Sequence, residues 1–440
     1  MKIDKVFLNK MKQDFNKDRA FRVAQRAASS NGIIEASLDK KITDSNRFTF
    51  NVDLTETKIR NQKQSARCWI FAAMNVMEYK LAQKFNLKEF ELSQNYIYFH
   101  DKLERCNYFF NSIKETFEED EDSRILSFLL SMPMNDGGQW DMIKNIINKY
   151  GIVPNYEMPD TKNSLQSAPM NNYLTKILRM YAKDLRNAHK DGKSEIELNS
   201  MIEEYMKNIY NVLCIALGTP PETVNFETRD KDNNFISHTN LTPIEFFELV
   251  DMNLDDYVSL INAPTKDKPF YKAYTVEHLG NVLEGDIVKY VNVTIEDMKT
   301  AVKAQLMSAE PVWFGCDVGQ FFSRTTGRLD LETVNVFDML NINYDFSKAE
   351  RLDYKESLMT HAMVFMGLNE EGGKINRYKV ENTWGSETGI NGYLVMSDEW
   401  FNEYMYQVLI NKKYLNETIL NAYDSEPIVL RPWDPMGSLA

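Results

Sequence analysis

Cysteine is scarce in this chain. Four residues in 440 (Cys68, Cys106, Cys214 and Cys316) are too few to staple a fold of this length, and none form a CxxC pair. Histidine is scarce too. The five histidines show no HExxH and no spacing that joins them to cysteine in a zinc site. No stretch approaches the roughly 18 uninterrupted apolar residues of a membrane span. The first residues, MKIDKVFLNKMKQDFNKD, alternate charge and apolar side chains and lack the apolar core of a secretory leader. There is no internal repeat and no low-complexity segment. Positive charge is in deficit: 51 Lys and Arg stand against 64 Asp and Glu, a formal net charge of −13. Such a chain repels phosphate backbones on average, which disfavours nucleic acid as a partner. These absences exclude a disulfide scaffold and a membrane span. They lead us to expect a soluble, reduced, cytoplasmic protein, and they leave its function open.

What is present is ordinary globular material, 43% apolar and 26% charged. At about 150 residues per domain the length suggests roughly three domains, or two with insertions. Residues 1–35 read as mostly helix, with Phe7, Met11 and Phe15 on one face and Asn31-Gly32 as a stop. Residues 47–54 alternate like a short strand. A polar, turn-rich run over 55–67 then ends in CWIFAAMNVMEYKLAQKF. There Trp69, Ala72, Ala73, Val76, Met77 and Ala82 form an apolar stripe, so Cys68 starts a helix of about four turns. Residues 93–150 look helical, broken by a loop at 133–138. Residues 171–218 are long, charged and helical, and 222–290 mix short strands and loops. Buried-strand patterns follow at 311–318, 361–368, 377–381 and 392–396. The last 16 residues, SEPIVLRPWDPMGSLA, hold three prolines and read as an extended tail.

Four residues suit one mechanism. The thiolate, not the thiol, is the nucleophile, and a free cysteine is only a few per cent ionised at neutral pH. A helix N-terminus and a neighbouring imidazolium both lower that pKa. Cys68 has the first by position and acquires the second if His361 reaches it. Gln62, six residues upstream, can donate to an oxyanion beside the Cys68 backbone N–H. Asn382 can accept from the far ring nitrogen of His361, and Trp384 can cover that bond. Singly, each has an ordinary structural explanation; together, in this order, they spell nucleophilic catalysis without a metal or organic cofactor.

The segments QKQSARCWIFA (62–72), THAMVFMGL (360–368) and VENTWGSETGINGYLVM (380–396) resemble the nucleophile, histidine and asparagine segments of papain-like cysteine peptidases. The separation of Cys68 and His361, 293 residues, exceeds the 130–150 of papain itself by about 150. That excess, with NDGGQWD (135–141), EPVWFGCDVG (310–319), SDEWFNEY (397–404), RVAQRAASSNGI (22–33) and PWDPMGSLA (432–440), is similar to the aminopeptidase C and bleomycin hydrolase family along essentially the whole chain.

The resemblance implies an α+β papain-like fold with a long helical insertion and a C-terminal arm in the cleft. The expected divisions are an N-terminal segment 1–54 with packing and oligomer contacts, a helical domain 55–160, a mostly helical insertion 161–300, a β-rich domain 301–415 and an arm 416–440. It implies Cys68 as nucleophile, His361 as base, Asn382 as orienting residue and Gln62 as oxyanion donor. Gly137 and Gly138 would form the wall that pairs with substrate, and the carboxylate of Ala440 would meet the substrate amino group. Homohexamers acting on peptides are implied as well. The expected activity is that of a cysteine aminopeptidase. The alternatives are an endopeptidase of the same family and, from a different class, a non-catalytic binding protein on the papain fold. Ala66 stands where the family usually has Gly, and Ser438 where small Ala is common.

Overall fold

A computed structural model describes residues 1–45, 47–54 and 58–439 of the chain. At its centre lies the helix Cys68–Lys84, of whose 17 residues 13 are buried. The expected stripe is therefore not what places it. Trp69, Ile70, Phe71, Ala72 and Ala73 are all buried in succession, so every face of the first turns meets protein. Burying each large apolar side chain contributes about 1.5–3 kcal/mol. This makes the start of the helix, and with it Cys68, one of the most firmly held points in the molecule.

One wall around this helix is helical. Gln94–Glu115 and Trp140–Tyr150 pack beside it, and Ala168–Lys190 and Glu195–Leu217 pack on Gln94–Glu115 and on each other. Their ends follow elementary rules. Ser93 and Ser194 cap two of the N-termini, and Gly151 and Gly218 close two C-termini at φ 72° and 92°, where a side chain is disfavoured.

The other wall is a 12-stranded sheet. Strand Val312–Cys316 is paired on one side with Met405–Asn411 and on the other with His361–Glu371. Lys374–Glu381 and Tyr393–Ser397 continue outward from the latter. Their side chains are buried on both faces, which explains why these strands read as apolar runs.

Several expectations need correction. Of residues 47–54 only Val52–Asp53 pairs, antiparallel to Leu368 and Gly367, and residues 55–57 of the polar run lie outside the described residues. The N-terminal helix is two helices, Lys5–Lys17 and Arg19–Asn31, because Asp18 ends one and caps the next. The long helices of the segment 161–300 end at Leu217, and beyond it only Pro243–Glu248 and the start of Ile295–Met307 are α-helical. Tyr257–Ile261, Tyr290–Asn292 and Lys272–Val276 join the main sheet in that order outward from Met405–Asn411, and their side chains are buried almost throughout. The tail is not merely extended. Ile428–Leu430 forms a parallel strand on Lys272–Val276, and Pro435–Gly437 makes a 3₁₀ turn that buries Met436.

Candidate active site

Cys68 is the first residue of the central helix, so the free N–H groups of the first turn surround its thiol. The backbone N–H groups of Ala362, Trp69 and Cys68 itself favour the charged form of the sulfur. The preceding residue is held unusually well. The Arg67 side chain has no solvent exposure, donates to Ser65 Oγ at 2.9 Å and pairs with Asp160 at 2.8 Å, and its guanidinium lies over the rings of Phe71 and Tyr98. Ala66 has a φ of +44°, in the left-handed region. An L-residue there costs on the order of 1 kcal/mol, so the methyl group where Gly is usual is kept against backbone strain.

The loop bearing Gln62 is zipped to the segment bearing Asn382. Gln62 N–H donates to the Thr383 carbonyl at 2.9 Å, Gly385 N–H donates to the Arg60 carbonyl at 3.0 Å, and Asn61 bridges Trp384. Arg60 is anchored in turn by Glu78 at 2.8 Å and Glu91 at 3.0 Å. Two segments 320 residues apart in sequence thus behave as one piece of sheet. Within it the buried side-chain oxygen Oε1 of Gln62 and the nitrogen Nδ2 of Asn382 lack partners among the described residues.

His361 opens its strand directly opposite Cys316. Its Nε2 lies 2.9 Å from Asn382 Oδ1, which also accepts from Thr383 N–H at 2.8 Å. An amide oxygen carries no hydrogen and can only accept, so in the neutral ring Nε2 carries the proton and Nδ1 keeps its lone pair. Trp384 stacks on the imidazole with centroids 4.7 Å apart and planes at 29°.

Cys68, His361, Gln62, Gly137 and Trp384 line one cleft of about 930 Å³, and Pro432 to Leu439 of the tail line the same cleft. Its far wall is built from residues that sequence reasoning missed. Asp136 accepts from Tyr98 at 2.7 Å and Asn171 at 2.6 Å and pairs with Lys102 at 2.9 Å; against burial, the Lys102 charge and the bonds from Ser167 and Tyr98 hold its carboxyl down at about 2. Trp69 Nε1 donates to the Asp136 carbonyl at 2.6 Å and Arg105 to the Gly137 carbonyl. A Cβ on Gly138 would stand 2.5 Å from the Trp69 ring, so that position tolerates no side chain. Gln139 donates to the Ser438 carbonyl at 2.6 Å, and Ser438 Oγ donates to the Met359 carbonyl at 2.6 Å. Deeper in the tail, Asp434 pairs with the buried Lys268 at 2.9 Å. These anchors were unreadable from spacing, although Asp136 and Gln139 sit in a segment that attracted attention as a motif. Ala440 lies outside the described residues, so the structure says nothing of its carboxylate.

The electrostatics correct one expectation. Burial pushes the Cys68 thiol up to about 11, and the N–H groups around it offset this only in part. Burial also takes His361 down to about 4, against a small raising effect of the Asn382 bond. The N–H groups at the helix N-terminus favour the thiolate, but desolvation of the buried sulfur outweighs them. Each group is neutral at pH 7 when considered alone.

A buried cysteine at the head of a central helix, an imidazole oriented by an asparagine amide and covered by an indole, and a papain-like pairing of helical and sheet walls define a cysteine peptidase. The chain belongs to the Peptidase C1-like family, which it matches over residues 2–437. It is 48% identical to aminopeptidase C of Listeria monocytogenes serovar 1/2a over 95% of this chain and 94% of that one. Aminopeptidase C of Lactococcus lactis subsp. lactis is 43% identical over the full length of both chains, and bleomycin hydrolase of Rattus norvegicus 40% over 97% of each. The crystal structure of pepW from Lactobacillus rhamnosis HN001 superposes with a TM-score of 0.97 at 44% identity, covering 100% of this chain and 99% of that one.

Proposed function

We propose that this chain is a cysteine aminopeptidase that removes N-terminal residues from peptides. Cys68 attacks the scissile carbonyl as its proton passes to Nδ1 of His361. Transfer within the pair avoids leaving either charge alone in a desolvated site. The amide of Gln62 and the Cys68 N–H hold the oxyanion. His361 protonates the leaving amine and then activates water on the acyl-enzyme, while Asn382 keeps the ring in register. Gly137 and Gly138 present backbone to the substrate without side chains in the way.

The observation that carries the exopeptidase reading is the tail in the cleft. A papain-type cleft open at both ends cuts inside chains. Residues 432–439 take up the acyl side, anchored by Gln139, Met359 and Lys268. The Ala440 carboxylate beyond them would pair with a protonated α-amine. A chain ending at Asp434, assayed on peptides with free and N-acetylated termini, tests this. We expect the KM for free peptides to rise about tenfold and cleavage of acetylated peptides to appear. If neither preference moves, the anchor reading is wrong and the endopeptidase alternative gains.

The pH profile has two separate origins. Neutral His361 is required as base, so kcat/KM falls as pH drops through about 4. On the alkaline side the substrate α-amine, with a pKa of about 7.7–8.0, loses its proton and its carboxylate partner before Cys68 at about 11 ionises. We expect a plateau between these limits. An acid limb near the ordinary histidine value of about 6.5 would show that burial does not govern His361.

The finer partner and location assignments are proposals too: peptide substrates, a homohexamer and a cytoplasmic home. No helix among the described residues is long and apolar enough to cross a membrane. The N-terminal helices fully bury none of their own side chains and expose Leu8, Met11 and Phe15 at helical spacing, a face suited to other copies. Sedimentation of the full chain and of a chain lacking residues 1–36 measures this; a monomeric full chain would refute the hexamer.

A further inference from the structure

We propose that the leaving-group side of the cleft carries a cationic subsite, centred on Arg324 over Trp384 with Lys355 of the cleft lining as a second cation, that binds the free C-terminal carboxylate of short peptides. The tail occupies the acyl side, so the part of the substrate that departs as an amine must run past His361, which protonates it. Trp384 is stacked on that ring and lines the cleft. The Arg324 guanidinium lies over the Trp384 ring, 5.0 Å from its centroid, which places it within roughly 10 Å of the imidazole. Phe322 packs on the same indole at 6.0 Å, giving the loop a fixed seat. Lys355 lines the cleft with Val318 and Thr360 on the wall next to His361.

Both cations are exposed, and no carboxylate among the described residues pairs with either. That is notable in a chain with 13 more acids than bases, where the neighbouring Arg328 and Arg351 each hold a carboxylate. An extended residue spans about 3.3–3.6 Å, so the carboxylate of a leaving group of one to three residues falls within reach. A guanidinium seated on an indole is oriented to take a carboxylate in bidentate fashion. An arylamide or an amidated peptide offers nothing to this subsite.

The inference rests on the aminopeptidase reading for the direction in which substrate lies, but the two can fail separately. The substrates are Leu-Gly-Gly, its C-terminal amide, their N-acetylated forms and leucine p-nitroanilide, with the full-length protein and Arg324→Gln, Arg324→Lys and Lys355→Gln. Cleavage of the p-nitroanilide reports any general effect of a substitution on the dyad, so the acid-to-amide ratio of kcat/KM is read against it. We expect the unsubstituted protein to favour the free acid about tenfold, mostly through KM. Arg324→Gln should bring the ratio near one, Lys355→Gln should lower it two- to threefold, and Arg324→Lys should retain part of it. Raising ionic strength should erode the ratio in the unsubstituted protein and leave Arg324→Gln unmoved. A ratio near one in the unsubstituted protein, or one unchanged by Arg324→Gln, overturns the subsite. Equal cleavage of acetylated and free N-termini overturns the aminopeptidase reading instead and leaves the carboxylate ratio to be judged alone.

Discussion

Replacing Cys68 by Ala should lower kcat/KM by at least about 10⁴-fold while leaving the fold in place. The size follows from the role. Without the sulfur there is no acyl-enzyme, and only positioning and the oxyanion donors remain, as when a triad member is removed from other acyl-transfer enzymes. The stability expectation follows from burial. Cys68 is 3% exposed and sits at the head of a helix buried on all faces, so loss of one sulfur leaves a small cavity and costs about 1 kcal/mol. Paired measurements of p-nitroanilide hydrolysis and thermal unfolding check both halves. Residual activity above about 1% of the starting value would mean that another group attacks, and the non-catalytic alternative would regain ground if the unsubstituted protein showed no thiol-dependent hydrolysis at all.

The second large effect is expected at Gly138. Its conformation is not the reason, since the constraint is space: an added methyl would stand 2.5 Å from the Trp69 ring. That ring cannot step aside. Trp69 has no exposure, its Nε1 is bonded to the Asp136 carbonyl and Arg105 lies over its face. Overpacking of this kind typically costs 1–3 kcal/mol, and Gly138→Ala should fall at the upper end, about 3 kcal/mol in chemical denaturation. Because Trp69 follows Cys68 in the same helical turn and Gly138 lies in the opposite wall, any relief of the clash moves the nucleophile or the wall. We therefore expect kcat to fall tenfold or more even in the folded fraction. A Gly138→Ala protein with unchanged denaturation midpoint and kcat would show that the wall yields freely.

The two effects differ in kind, and this shows how much could be read from the chain alone. Cys68, Gln62, His361 and Asn382 were legible because each sits in a short contiguous segment: a helix start, a loop, a strand start and a turn. The structure brings Cys68, Gln62 and His361 to one cleft, and Asn382, which does not line it, lies buried within hydrogen-bond distance of the imidazole. Gly137 and Gly138 were legible only through resemblance. Arg67, Arg105, Gln139 and Lys268 were not legible at all. Their partners Asp160, Gly137, Ser438 and Asp434 lie from 32 to 299 residues away, and no local pattern encodes such a pairing.

Short-range chemistry in the sequence alone therefore determined where the central helix starts, that Gly151 and Gly218 end two others, which of the segments after residue 310 are apolar strands, and which four side chains have the right chemistry for thiol-dependent acyl transfer. Only the tertiary structure decided that the central helix is enclosed on every side, that residues 257–292 extend the sheet, and that the tail is anchored in the cleft as strand and turn. It also set burial against the expected ionisation, pushing the Cys68 thiol up and the His361 imidazole down. A pKa depends on how much water the fold removes from a group, and desolvation is a sum over segments that meet only when the chain is folded.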